Sequence, residues 1–202
     1  QDPMAELAAG RTPELTELKM HNGTVYRWNR PIYDPGKGHP HVRVENRVLP
    51  AGPSIIDTLA NAAFYYGCVR TLAHEDRPIW TQMSFPAAQA NFEAAARDGL
   101  RARLYWPGHG ELGADELTVR HLLPLARRGL QNWGVSDAVI SRYLGVIEGR
   151  CTSGVNGAVW QTECVARLEE GGLDRSAALA EMTRLYGQHM HTNEPVHTWP
   201  LP

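Results

Sequence analysis

Two short stretches near the start of the chain alternate between apolar and polar positions. Residues 24–30, TVYRWNR, are rich in β-forming side chains, and residues 41–49, HVRVENRVL, alternate again. Between them, PIYDPGKGHP has the proline, glycine and aspartate content of a loop. Together they predict an antiparallel hairpin. In its second strand Val42, Val44 and Asn46 fall on one face and Arg43, Glu45 and Arg47 on the other. Pro50 and Pro53 end that strand.

From there the apolar period becomes helical. Ile55, Ile56, Leu59, Ala62, Ala63, Tyr66 and Val69 predict a long helix over 54–75, with Ser54 or Asp57 serving its first turn. Residues 86–100 predict a second helix closed by Gly99. A short hairpin is expected around Pro107–Gly108. Helices then run nearly to the end: one kinked at Pro124, one capped by Ser136, one over 157–172 and one capped by Asp174. The tail EPVHTWPLP carries Val196, Trp199 and Leu201 between prolines, which predicts an extended segment packed on the body. Ahead of the first hairpin, Thr12 and Pro13 suggest the start of a short helix. Residues 1–4 read as a cloning scar, outside the fold.

The expected fold is therefore α+β: a hairpin belonging to an incomplete sheet, followed by a mainly helical region. Its expected divisions are residues 1–4, 5–110 and 111–202. A two-stranded hairpin cannot bury its faces alone. Its sheet is expected to be completed by strands outside this sequence.

Composition narrows the function classes. The 202 residues are 43% hydrophobic, enough for a core, and 21% charged. A net charge of -2 argues against a nucleic-acid footprint, which needs a basic excess. No apolar run reaches the ~20 residues of a membrane span, and no signal peptide is visible. Cys68, Cys151 and Cys164 form no CxxC pair and suggest a reducing, cytoplasmic setting. Cys68 and Cys164 read as buried thiols, Cys151 as a more exposed one. His189 and His191 lie two apart on a helix end and face apart, so with His197 they make a poor metal site. Trp133, Trp160 and Trp199 read as core or tail anchors.

The chemistry sits on the charged strand face. Its simplest account is a solvated surface with cross-strand ion pairs, each worth under about 1 kcal/mol. The facing strand adds Arg27 and Arg30, however, and so many arginines around one glutamate call for an anion. The guanidinium fork fits carboxylate and phosphate, and a carboxylate among phosphates suits Mg²⁺.

At these residues the chain resembles a family. HNGTVYRWNRPIYD, HVRVENRVLPAGPSIIDTLANAAFYYG and NFEAAARDGL are similar to the C-terminal part of bacterial glutamate–cysteine ligase proteins of the second class, the carboxylate–amine ligases. LLPLARRGL, YLGVIEGRCTSGVNGAVWQ and PVHTWPL resemble the helical end of longer members. The order of strand, Arg-x-Glu-x-Arg, proline and apolar helix is similar to the related glutamine synthetase superfamily.

The resemblance implies ATP and Mg²⁺ as cofactors, glutamate as substrate, and an amine such as that of cysteine as acceptor. ATP would phosphorylate the γ-carboxylate, and the amine would attack the acyl phosphate. By resemblance Glu45 holds Mg²⁺, while Arg47 and Arg30 contact substrate carboxylate or transferring phosphate. Arg43, His21, Asn22 and Arg97 (with Asn91 on the same helix) are implied as binding residues. Members of the family are considerably longer, so the chain is expected to be a C-terminal fragment, inactive by itself, whose partner is the missing half. A homodimer through the open hairpin is also expected. Two other readings remain: a non-catalytic helical interaction module over 111–190, and a stand-alone binder of small anions.

Overall fold

A computed structural model of the chain describes residues 2–24, 28–36 and 39–202. The fold is α+β, mostly helical, with two small antiparallel two-stranded sheets. It forms two compact units that divide between Pro50 and Ala51.

In the first unit, helix α1 (Pro3–Ala8) starts at Asp2, whose side chain accepts from the Met4 and Ala5 amides. The segment read as a scar thus supplies a helix cap. Thr12 and Pro13 start no helix; the next one, α2, runs Thr16–Thr24. Strand β1 is Asn29–Asp34 and β2 is His41–Asn46. The hairpin is present, but its first strand lies later than 24–30 and takes in the expected loop residues Pro31 to Asp34. Residues 25–27, and with them Arg27, lie outside the described residues. Pro31 is tolerated because it stands at a non-hydrogen-bonded pair with Val44, its carbonyl turned away from β2 to accept from Asn22, so its missing amide costs no ladder bond. The turn begins at Asp34, whose carboxylate accepts from the Gly36 amide at 3.0 Å. Among the described residues of this unit only Pro13 is buried.

The second unit holds the core. Helix α3 (Ile55–Leu72) is capped by Ser54, as expected, and α4 (Phe85–Asp98) ends at Gly99 with φ 57°. Strands β3 (Arg103–Trp106) and β4 (Gly110–Gly113) form the expected second hairpin. Helix α5 (Ala114–Leu117) passes through a π-helical turn at Thr118–Leu122 into α6 (Leu123–Asn132). Pro124 sits in the first turn of α6, just after that π turn, where a helix tolerates its missing amide. Helices α7 (Asp137–Ser153), α8 (Gly157–Glu170) and α9 (Arg175–Thr192) complete the unit. Asp174 caps α9 through the Ala177 amide, whereas Ser136 precedes α7 without a side-chain cap bond. The expected division at 110/111 does not coincide with the observed one, because α3 packs against α6 and α7.

One core cluster joins Ile56 and Ala60 of α3 with Leu123, Ala126 and Leu130 of α6 and Ile140, Leu144 and Ile147 of α7. A second joins Trp160, Cys164, Val196 and Trp199, so the tail is packed on the body as expected, although Val196–Thr198 forms a 3₁₀ turn where an extended segment was expected. Trp160 Nε1 donates to the Pro200 carbonyl at 3.2 Å, and Trp199 Nε1 to the Glu194 carbonyl at 2.8 Å. Trp133 is exposed, contrary to its reading as an anchor, and Cys151 is buried, contrary to its reading as exposed. Cys151 lies on the core-facing side of α7, one helical turn beyond Ile147. Cys68 is half-buried, and desolvation pushes its thiol up to about 12, which leaves it inert.

A buried polar cluster ties the tail to α3. Asp57 Oδ1 accepts from Arg150 Nη2 at 2.6 Å, and Asp57 Oδ2 accepts from Ser54 Oγ at 2.7 Å and from the Val196 amide at 3.1 Å. Arg150 also donates to Asn61 Oδ1 at 2.6 Å. Next to it, the His197 ring lies against Gly149, where an added Cβ would come within 2.3 Å of Nε2. Burial lowers the His197 pKa from its usual 6.5; the Asp57 carboxylate opposes that shift and Arg150 adds to it. The unfolded chain therefore takes up this proton first as pH falls. Stability from His197 is full above about pH 6.5 and is lost as pH drops from there through the lower folded value. Urea midpoints at pH 7.5 and pH 5.5 should show the loss, and His197→Gln should reduce it. An equal loss in both proteins would assign the slope to other groups.

Candidate anion-binding site

The hairpin register decides which charges meet. Arg30 lies opposite Glu45, Ile32 opposite Arg43 and Asp34 opposite His41. Directly opposed residues share a face. One face therefore carries Arg30, Asp34, Arg43 and Glu45, and Arg47 follows in phase, its amide bonded to the Trp28 carbonyl at 2.9 Å. The opposite face carries Asn29, Pro31, Tyr33, Val42, Val44 and Asn46, as the alternation in the second strand requires.

Glu45 is the centre of the charged face. Arg30 Nε and Arg47 Nε both donate to its Oε2, the latter at 2.7 Å. Bonding to Arg47 first and Arg30 second holds the Glu45 carboxyl below its ordinary pKa of 4.5. Arg30 reaches the other way too: its Nη1 donates to the Asn22 carbonyl at 2.6 Å, and Asn22 Nδ2 donates to the Pro31 carbonyl at 3.0 Å. Arg30 thus fastens α2 to the hairpin and is the least exposed arginine of the set, its side chain 15% exposed.

Asp34 was not expected on this face, since its residue type placed it in the loop. Arg43 Nη1 donates to its Oδ2 at 3.0 Å and touches His41 Nε2 at 3.1 Å. The Gly36 amide and then Arg43 lower the Asp34 pKa from 3.8. Lys19, also unforeseen, joins Asn22, Arg30, Asp34 and Arg43 around a pocket of about 390 Å³. The phase of Asp34 with Arg30 along β1 was the available signal.

The expected residues are thus partly assembled. Arg30, Arg43, Glu45, Arg47 and Asn22 share the first unit, and His21 lies in the last turn of α2 beside Asn22. Arg97 belongs to the second unit, on α4, and pairs with its neighbour Asp98 at 2.9 Å. Asn91 brackets Tyr105, giving Nδ2 to its carbonyl and taking its amide on Oδ1, both at 2.8 Å. That fixes α4 to β3, a structural role.

For a divalent cation this face offers little. Among the described residues no group of three or more His, Cys, Asp or Glu side chains is placed to hold a metal. Mg²⁺ is often held by one or two carboxylates plus substrate phosphates. Glu45 fits that pattern only as a single donor, and its Oε2 is already shared by two guanidiniums. Among the described residues no helix is long and apolar enough to cross a membrane. Comparison of the chain with protein families, with curated proteins and with solved structures finds no match.

Proposed function

We propose that the arginine face of the hairpin is the anion-contacting part of an ATP-dependent carboxylate–amine ligase site, of the glutamate–cysteine type, completed by strands of a longer parent. The observation that carries the reading is the shared Glu45: one carboxylate oxygen orients the guanidinium forks of Arg30 and Arg47 on a single strand-pair face. The pocket beside it brings Lys19, Arg30 and Arg43 together with one acidic residue, Asp34, on a lining that also includes Ile32 and Tyr33. A unit with one buried residue among those described, and with open edges, also needs partner strands for its stability. The family assignment rests on the residue resemblance alone.

In this reading the side chains position and neutralise; none attacks covalently. Arg47 and Arg30 hold the substrate carboxylate or the transferring phosphoryl group in line and offset its charge. Glu45 keeps both forks aligned, and its other carboxylate oxygen would be the single donor this face could give to a Mg²⁺ arriving with ATP. Asn22 fixes the far side of Arg30.

The test is glutamate-dependent ADP release by a parent protein containing residues 5–202. Glu45→Ala and Arg47→Ala should each lower kcat by about 10²–10³-fold with the melting temperature little changed. Wild-type turnover in both would reject the assignment. The 202-residue chain alone should release no phosphate from ATP with glutamate and cysteine.

A second reading has its own observation. Glu45 and Asp34 already pair with Arg30, Arg47 and Arg43, as a solvated face would arrange them. Calorimetric titration of the chain with sulfate and ATP separates the two. Heat that disappears in Arg30→Ala supports an anion site, and silence with both anions supports the solvated face.

A further inference from the structure

A groove of about 470 Å³ lies where α6, α7 and the π turn at Thr118–Leu122 meet. Its apolar lining is Val119 from the π turn, Leu123 from α6 and Leu144 from α7. Ser141, Gly145 and Glu148 stand four and then three residues apart on α7, so they form one exposed stripe along the groove. From α6 comes half-buried Arg127. Small-molecule sites have this size and this mixture of apolar lining with a few polar groups.

The two charges of the groove are unlike and unused. Arg120 and Arg128, close by in sequence, pair with Glu116 at 2.8 Å and Glu75 at 3.2 Å. Arg127 and Glu148, by contrast, make no side-chain ion pair or hydrogen bond among the described residues. Neither has an opposite charge three or four residues away on its own helix. Glycine occupies the middle of the stripe, although inside a helix it is less stable than alanine. Gly145 admits no neighbouring backbone in return: nothing lies within 4 Å of an added Cβ. The space it leaves belongs to the groove. The π turn is a third mark, since such distortions occur frequently at functional sites.

We propose that this groove binds a small zwitterion, an α-amino acid with an apolar side chain. The Arg127 guanidinium takes the carboxylate, with the Ser141 hydroxyl as a further donor, and Glu148 accepts from the ammonium group. The ligand side chain lies against Val119, Leu123 and Leu144 in the space kept open at Gly145. Charge selects this occupant. An anion alone would satisfy Arg127 and face Glu148 unpaired, and a cation alone would do the reverse. A ligand carrying both charges satisfies both groups. The inference is independent of the ligase reading, since it uses only residues of the second unit.

The experiment is a titration of the full isotope-labelled chain with L-leucine, read by amide chemical shifts. Isocaproate, which lacks the ammonium group, and isoamylamine, which lacks the carboxylate, are the single-charge probes. Leucine should give saturable shifts at the Ser141, Leu144 and Gly145 amides, with a Kd about tenfold or more below that of either probe. Arg127→Ala should weaken leucine about tenfold and leave isoamylamine unchanged, and Glu148→Gln should weaken leucine and leave isocaproate unchanged. Gly145→Leu should fill the groove and abolish the shifts at Ser141 and Leu144 without lowering the Tm. Absence of saturable shifts with leucine overturns the proposal and leaves a solvated groove. Equal affinity for leucine and isocaproate overturns it in favour of a simple anion site. Leucine binding that survives Gly145→Leu overturns it by placing the ligand elsewhere.

Discussion

Asp57→Ala is expected to destabilise the second unit by about 3–5 kcal/mol and to lower its Tm by roughly 10 °C. The Asp57 side chain is 0% exposed and that of Arg150 13%. Truncation leaves the guanidinium in a low-dielectric interior with its main counter-charge gone. It also removes the acceptor of the Ser54 hydroxyl and of the Val196 amide. Each stranded donor costs about 1–3 kcal/mol if water cannot reach it. Helix propensity runs the other way, since alanine favours α3, so the loss is assignable to the cluster. Replacing both charges by apolar residues, as in Asp57→Leu/Arg150→Met, rescues only part, because Ser54 and Val196 still lack their acceptor. Urea denaturation of the three proteins checks this. A loss under about 1 kcal/mol in Asp57→Ala would mean that the tail is not held through this carboxylate.

The cluster shows where a sequence stops being legible. Ser54 and Asp57 are recognisable as first-turn residues of a helix, because capping is local. That Asp57 faces inward, to meet an arginine 93 positions away, follows from the packing of α3 on α7, which no local pattern encodes. The tail was legible for a different reason. Val196 and Trp199 stand between prolines, so an apolar anchor in an extended segment was the natural account. Trp133 was misread because residue type was made to decide burial, and Cys151 because the polar Thr-Ser-Gly that follows it was. At Cys151 the phase of α7 decides it. At Trp133 the helix has ended, and the ring rests on Tyr66 and Arg70 in the open.

The charged hairpin divides in the same way. Alternation placed Arg43, Glu45 and Arg47 on one face, and the register adds Arg30 to them. Asp34 escaped notice because proline and glycine after it drew the loop boundary too early. With Asp34 on the face, the arginine excess that first called for an anion is smaller than the sequence suggested. What survives is the sharing of Glu45 Oε2 by two forks. An anion that draws either guanidinium away from Glu45 should raise the Glu45 pKa toward its ordinary value.

Gly129→Ala should cost the second unit about 3 kcal/mol or more, against the direction that helix propensity alone dictates. Glycine inside a helix is normally worse than alanine by about 1 kcal/mol. Gly129 in α6 and Gly67 in α3 face one another at the crossing of the two helices. A Cβ on Gly129 would fall 1.9 Å from the Gly67 carbonyl oxygen, and a Cβ on Gly67 would fall 2.3 Å from the Ala126 carbonyl oxygen. Those obstacles are backbone, which cannot rotate aside as a flexible side chain can. The helices must separate, and Ile56, Ala60, Ala126 and Leu130 lose packing with them. Gly67→Ala should behave alike. The double variant should cost less than the sum, because one displacement relieves both clashes. Gly145 in α7 and Gly187 in α9 provide the opposite sign, since no atom lies within 4 Å of an added Cβ at either. Gly145→Ala and Gly187→Ala should each stabilise by about 0.5–1 kcal/mol. Thermal melts of these variants test helix contact against helix propensity directly. Stabilisation by Gly129→Ala would show that α3 and α6 do not cross at their backbones, and the core described for the second unit would then need a different arrangement.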